Sequence, residues 1–148
     1  MADQDLTFRR ALEEDIEDIK ALEEGAIIHP WTEGAIRNLI NNKNNICLVI
    51  ELDNKIVCYV GAETVLDECN IGNIVTHKDF RDMGLGTGLF SRLMEELALM
   101  KIRKVFLEVE VDNAPAIALY EKAGFERYGQ RRDYYGPGKD AVLMTKEL

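Results

Sequence analysis

One stretch constrains this chain more than any other. Between Asn70 and Met100 a short apolar segment, Ile71 to Thr76, passes through a polar turn into a glycine cluster, Gly84, Gly86 and Gly88. A long amphipathic segment follows at once. The pattern reads as strand, phosphate loop, helix. The first N–H groups of a helix have no intrahelical partner, and the helix dipole adds partial positive charge there. Together they form an anion site suited to phosphate. Glycines let the backbone approach a ligand and allow positive φ. The spacing is Arg81-x-x-Gly84-x-Gly86. No Lys-Ser/Thr follows, so this is not a P-loop, and Leu89 stands where a dinucleotide fingerprint needs its third glycine. Leu85, Leu89, Leu93 and Leu97, with Phe90 and Met94 beside them, recur at helical spacing. A helix start with glycines placed for tight packing is the plainer alternative for the motif alone.

The flanking segments supply the other elements. Leu6 to Arg9 alternates as a strand. Glu13 to Gly25 carries Ile16, Ile19 and Leu22 at helical spacing, with Gly25 as its stop signal. Its acidic run, Glu13, Glu14, Asp15, Glu17 and Asp18, reads as a solvated helix face. Thr32 caps a second helix, Glu33 to Asn41. Ile46 to Leu52, Lys55 to Val65 and Asn70 to Thr76 form a meander with tight turns at Asp53-Asn54 and Leu66 to Glu68. After the glycine-loop helix come a strand, Lys104 to Val111, and a helix, Ala114 to Ala123, capped by Asn113 and ended by Gly124. Two strands close the chain, Glu126 to Tyr135 and Ala141 to Thr145, around the turn Gly136-Pro137-Gly138. The 148 residues form a single domain, residues 1–148, and a hydrophobic fraction of 47% is enough for its core.

Arg81-x-x-Gly84-x-Gly86 in this setting resembles the pyrophosphate loop of the GNAT acyltransferases, which bind acetyl-CoA. A more specific match lies further on: Leu107-Glu108-Val109, then Asn113-x-Pro-Ala-Ile-Ala-Leu-Tyr120-Glu-Lys-Ala-Gly124-Phe125. This resembles the RimI branch, the ribosomal-protein-alanine N-acetyltransferases. Pro30-Trp31-Thr32, Asn73-Ile74-Val75, Arg131 to Tyr135, and Asp140-Ala141 add to it in the same order. The resemblance covers essentially the whole chain. It implies an α+β fold, a mostly antiparallel twisted mixed sheet flanked by helices.

The resemblance also implies roles. Glu108 stands where RimI-like enzymes have their general base, and Tyr120 where they have their general acid. Ile74, Val75 and Thr76 match the strand that meets the pantetheine and thioester. Asp82, Met83, Gly84, Leu85, Gly86 and Thr87 match the amides around the pyrophosphate, and Asn113 a side chain beside the pantetheine arm. Trp31, Tyr134 and Tyr135 match positions near the acceptor. The expected reaction moves acetyl from acetyl-CoA to the α-amine of a protein N-terminus, such as that of a ribosomal protein. A lysine side chain or small amine as acceptor, or a non-catalytic acyl-CoA-binding subunit, are the rival readings.

The residue types suit that chemistry. An α-amine has a pKa of about 7.7–8.0 and must lose a proton before it attacks. A carboxylate can take that proton directly or through a water. A backbone N–H, for which Val75 is the candidate, can stabilise charge on the carbonyl oxygen. A phenol can protonate the departing thiolate. No cysteine lies in the motif, so direct transfer is expected. Each residue also has a plainer role open to it. Glu108 alternates with Phe106 and Glu110 on a face that could simply meet solvent. Tyr120 could be a core tyrosine, Asn113 only a cap, Trp31 core, and Tyr134 and Tyr135 a cross-strand pair. One departure from the branch stands out: a compact turn, Gly136-Pro137-Gly138-Lys139, follows the paired tyrosines.

Charge and composition exclude other classes. The net charge of −9 leaves no basic footprint for nucleic acid. No apolar run reaches the length of about 18 residues needed to span a membrane, and the opening MADQDLTFRR has no apolar leader core. Cys47, Cys58 and Cys69 are too widely spaced for a zinc or redox motif and read as buried thiols in a reducing, cytoplasmic setting. His29 and His77 form no ligand cluster, so no metal is expected.

Overall fold

The computed structural model describes residues 5–27 and 30–148. The first four residues and His29, on which two of the expectations above partly rest, lie outside that range.

Seven strands form one sheet, in the order β1-β2-β3-β4-β5-β7-β6. The strands are β1 (Leu6–Arg10), β2 (Asn45–Leu52), β3 (Lys55–Val65), β4 (Glu68–Thr76), β5 (Lys104–Glu110), β6 (Glu126–Arg131) and β7 (Ala141–Glu147). The β2–β3 hairpin turns through Asp53 and Asn54, both at positive φ (51° and 65°). That is the left-handed pairing whose twist suits a two-residue hairpin. Every strand pair is antiparallel except β4 with β5. A parallel pair needs a crossover, and the helix α3 (Leu85–Leu99) supplies it.

The helices divide between the two faces. On one, α3 and α4 (Ala114–Lys122) pack Leu89, Phe90, Leu93, Leu97, Ile117 and Tyr120 onto β3, β4, β5 and β7. On the other, α1 (Ile16–Ala26) and α2 (Glu33–Asn41) cover β2, β3 and β4 with Ile16, Ile19, Leu22, Ile36 and Leu39. The two clusters agree with the helical periodicities in the sequence.

Three local expectations are corrected. The first helix opens as a 3-10 turn over Glu13–Asp15 and becomes α-helical at Ile16. It also runs through Gly25 to Ala26, because Gly25 keeps helical geometry and the chain turns extended only at Ile27. The acidic run is not simply a solvated face. Asp15 is buried and takes Arg9 Nη1 at 2.7 Å and Nη2 at 3.0 Å. Asp18 accepts the Ile56 amide at 3.2 Å.

The third correction lies at the C-terminal hairpin. β6 ends at Arg131, not Tyr135. Asp133 takes positive φ (54°), and two carboxylates replace the ladder bonds. Asp140 accepts the Asp133 amide at 2.9 Å, and Asp133 accepts the Gly138 amide at 2.7 Å. Tyr134 and Tyr135 therefore sit in a closed turn and pair edge to face, with centroids 5.0 Å apart, rather than across strands.

Candidate active site

The sheet opens where the parallel pair ends. β4 and β5 are paired only over Glu68–Ile71 and Lys104–Leu107. Beyond that point β4 stays on β3 as far as Thr76, and β5 stays on β7 as far as Glu110. The two arms diverge, and the backbone of 72–76 faces the gap. Glu108 is the first residue of β5 past the fork.

The register decides which amides face the gap. His77 N donates to Val57 O at 2.8 Å, which directs its N–H toward β3. Successive N–H groups alternate along a strand. The Val75 amide therefore points to β3, where Val75 pairs with Tyr59, and the Ile74 and Thr76 amides point into the gap. This corrects the expectation that Val75 supplies the oxyanion donor. The buried Val75 side chain belongs to the α1–α2 cluster.

The glycine loop lies at the top of the β4 arm. Gly84 caps α3 at φ 79°, a left-handed conformation that glycine adopts freely, and Asp82 is also at positive φ (63°). Gly88 N donates to Gly84 O at 3.0 Å, so the amides before it have no intrahelical acceptor. Arg81 Nε reaches back to Thr76 O at 3.3 Å and holds the loop to the strand. Asp82, Met83 and Thr87 are exposed. The Leu85 side chain is core, so only its amide is available to a ligand. Asn113 caps α4 by accepting the Ala116 amide at 3.2 Å, which leaves its Nδ2 as the group that could meet a coenzyme.

Glu108 and Tyr120 lie on opposite faces of the sheet. Glu108 is half-buried and shares its face with Phe106 and Glu110, while Val105, Leu107 and Val109 point into the α3–α4 core. Tyr120 comes from α4, buried against Phe90 and Phe125. Burial pushes its phenol up to about 12. Tyr135 is held neutral more strongly still, first by burial and then by the negative charge of Glu108, with Tyr134, Glu110 and Tyr120 adding to it. The closed β6–β7 turn thus brings Tyr135 into the neighbourhood of Glu108 and Tyr120. Lys139 Nζ, 3.3 Å from Glu110, ties that turn to β5.

Trp31 lies beside the β4 arm. A Cβ on Gly72 would stand 3.5 Å from Trp31 Cζ2 and 3.3 Å from Gly61 O, so the absent side chain gives the indole its place on the strand. The Trp31 amide donates to Glu23 Oε1 at 3.1 Å. Glu23 is fully buried, and its other oxygen accepts the Tyr59 hydroxyl and, at 2.9 Å, Asn73 Nδ2. The sequence reading passed over Glu23 and Tyr59. A signal for Glu23 was present: it stands four residues after Ile19, on the apolar stripe of α1.

Cys47, Cys58 and Cys69 are buried free thiols, and burial raises their pKa values to about 12, about 11 and about 12. Cys58 Sγ lies 3.3 Å from Thr76 Oγ1 on the β4 arm. Among the described residues no helix is long and apolar enough to cross a membrane, and no group of His, Cys, Asp or Glu is placed to hold a metal ion.

Comparison with known proteins accounts for this geometry. Residues 13–125 match the acetyltransferase (GNAT) family. The [ribosomal protein bS18]-alanine N-acetyltransferase of Salmonella typhimurium (strain LT2) is 34% identical over 129 residues, covering 84% of this chain and 85% of that protein. The crystal structure of the ribosomal-protein-S18-alanine N-acetyltransferase from Escherichia coli superposes with a TM-score of 0.91 at 28% identity, over 97% of this chain and 94% of that one. Arabidopsis thaliana NAA60 in complex with acetyl-CoA has the same fold (TM-score 0.88, 17% identity, 97% and 99% covered). The chain belongs to the GNAT acetyltransferases, in their RimI-like branch, and is an acetyl-CoA-dependent N-acetyltransferase.

Proposed function

We propose that this enzyme acetylates the N-terminal α-amine of a protein in the cytoplasm, and that the N-terminal alanine of a bS18-type ribosomal protein is its preferred acceptor. The observation that carries the reading is the fork. A carboxylate, Glu108, stands at its base, beside a turn that presents two tyrosines. The names of the RimI-like relatives supply the acceptor class.

Acetyl-CoA supplies the acetyl group as a thioester. The Ile74 and Thr76 amides and the 82–87 loop offer donors along one side of the gap for the pantetheine arm and the pyrophosphate, and Asn113 Nδ2 offers a further one. Glu108 takes a proton from the ammonium form of the acceptor, directly or through a water, and frees the lone pair for attack. The Ile74 amide faces the gap and donates to the carbonyl oxygen as it gains charge. Tyr120 keeps its proton in the resting enzyme because burial disfavours the phenolate. Its hydroxyl then donates toward the departing sulfur. A phenol near 12 is a weak acid beside a thiol of about 8.5, so Tyr120 stabilises the sulfur chiefly as a hydrogen-bond donor while the C–S bond breaks; the sulfur leaves as the thiolate and takes, through water, the second proton that the nitrogen sheds as the amide forms. Trp31, Tyr134 and Tyr135 wall the acceptor entrance.

The test is CoA release with peptides that begin Ala, Ser, Met-Leu and Met-Glu, set beside an N-terminally blocked peptide carrying lysine and a small polyamine. Preference for the Ala peptide is expected. Glu108→Gln should lower kcat by about 10²–10⁴ with acetyl-CoA binding and Tm unchanged, and Tyr120→Phe should lower it less. Equal turnover of every free N-terminus would widen the acceptor class. Turnover of the blocked peptide or the polyamine alone would overturn the N-terminal reading.

A further inference from the structure

Glu23 is a fully buried carboxylate that the transfer chemistry does not use. It is not a spare charge in the core, because its donors come from three separate elements. Oε1 takes the Trp31 amide, from the loop between α1 and α2, at 3.1 Å. Oε2 takes the Tyr59 hydroxyl from β3 and Asn73 Nδ2 from β4, the latter at 2.9 Å. The carboxylate itself comes from the last turns of α1. It therefore joins the helix, the loop that follows it, and two strands.

The position of this junction gives it a function. Asn73 directly precedes Ile74, whose amide faces the gap. Trp31 rests on Gly72, the first residue of β4 past the paired segment. The loop is thus fixed to β4 twice, through its backbone by Glu23 and through its indole by Gly72, at the point where the two arms separate. A carboxyl group that accepts donors from three separate elements is strongly directional. It sets one loop position where apolar packing would tolerate several.

We propose that Glu23 is a positioning residue for the acceptor: by clamping the Trp31 loop onto β4 it sets the width of the acceptor entrance, and with it the affinity and selectivity for the acceptor's first residues. The proposal rests on the acceptor entering between this loop and the β6–β7 turn. It assigns Glu23 no part in proton transfer and none in acetyl-CoA binding.

Separate titration of the two substrates tests it. Glu23→Ala should raise the KM for the preferred acceptor at least tenfold and flatten the preference among the panel peptides, while the acetyl-CoA KM stays within twofold and kcat within threefold. Tyr59→Phe removes one donor, keeps the ring in the core, and should give the same pattern at two- to fivefold. It serves as the reading if Glu23→Ala does not fold. A paired exchange supplies the rescue. In Glu23→Gln the amide oxygen can keep the Trp31 bond, but its nitrogen faces the Asn73 donor. Adding Asn73→Asp restores a donor–acceptor match and should recover most of the lost selectivity.

Trp31 is the only tryptophan, so its emission reports on the loop in every variant. An unchanged acceptor KM in a variant whose Trp31 emission shows a released loop would overturn the proposal. So would a parallel rise in both KM values, or failure of the double variant to rescue. A wild type that acetylates only lysine or small amines refutes the N-terminal reading separately, because the KM split is then measured on that acceptor.

Discussion

The two faces of the sheet are held by different chemistry. Under α3 and α4 the packing is almost wholly apolar, from Leu89, Leu93 and Leu97 on the helix to Val105, Leu107 and Val109 on β5. Under α1 and α2 the apolar cluster is smaller, and the buried charged residues Asp15 and Glu23 both belong to this side. Asn45 is also buried, and its Nδ2 donates to Asn38 O of α2. Apolar surfaces stabilise without specifying a single fit to within an ångström. Carboxylates with several donors contribute less net stability, and breaking them leaves a buried polar group unmatched. The apolar face carries the glycine loop, which offers free backbone amides at the start of α3. The polar face carries the Trp31 loop, which the proposal above places at the acceptor entrance. If the proposed roles hold, stability and selectivity are separated by face: apolar packing dominates under α3 and α4, and buried carboxylates lie under α1 and α2.

The largest expected effect breaks the apolar face. Leu93 is fully buried beneath α3, and Leu93→Ala should cost about 2–5 kcal/mol in unfolding free energy. Urea melts measure it directly. In the folded fraction, both substrates' KM values should stay within twofold of wild type. If acceptor selectivity shifts as much as it does in Glu23→Ala, the two faces are not separate in function.

The same division explains what the sequence made legible. Leu85, Leu89, Leu93 and Leu97 announce α3 because apolar burial repeats with the helical period. Alternation along Val105 to Val109 announces β5 in the same way. The glycine loop was readable because positive φ at Gly84 is a local backbone demand. The Asp15 and Glu23 contacts were not legible. Asp15, inside an acidic run, looks the same whether it meets water or an arginine from a strand, and the place of Glu23 on the apolar stripe signals burial without naming its partners. The partners lie far away in sequence: Tyr59 and Asn73 for Glu23, and Glu51 as the second acceptor on Arg9. The fork was half legible. The motif singles out Glu108 as a candidate, but the choice between the Val75 and Ile74 amides depends on strand register, which periodicity does not phase. The end of β6 was missed because the bonds replacing its ladder come from Asp133 and Asp140 side chains.

An intermediate effect sharpens the coenzyme side. A Cβ at Gly84 would meet nothing within 4 Å, so Gly84→Ala changes only the backbone cost of φ 79°. That cost is about 1–2 kcal/mol. The loop should relax toward ordinary φ and misdirect its amides. A several-fold rise in the acetyl-CoA KM is expected, with the acceptor KM unchanged. Gly84→Asn should lose less, since asparagine visits this conformation more readily. Equal losses in the two variants would show that the amides do not work through that conformation.

The smallest effect tests the polar face by pH. Burial pushes the Asp15 carboxyl up, but the hydrogen bonds from Arg9 and the Leu12 amide, with the Arg9 charge, outweigh it and leave the group below its ordinary value. A carboxyl depressed in the folded state contributes stability that is complete above its unfolded value, about 3.9. That contribution is lost as pH falls through the folded value. Wild type should therefore lose stability below about pH 4 with a steeper slope than Asp15→Asn, which keeps the side chain's shape without its charge. Above that range the variant should melt lower by a constant few degrees, roughly 2–4 °C for each kcal/mol lost in a chain near this size. Thermal melts from pH 2 to 7 read both slopes. The acceptor KM should stay level in Asp15→Asn at neutral pH, because Asp15 ties β1 to the start of α1 and not the Trp31 loop to β4. Parallel slopes for the two proteins would mean that Arg9 is satisfied by Glu51 alone, and that the polar face depends on Glu23 for its specification.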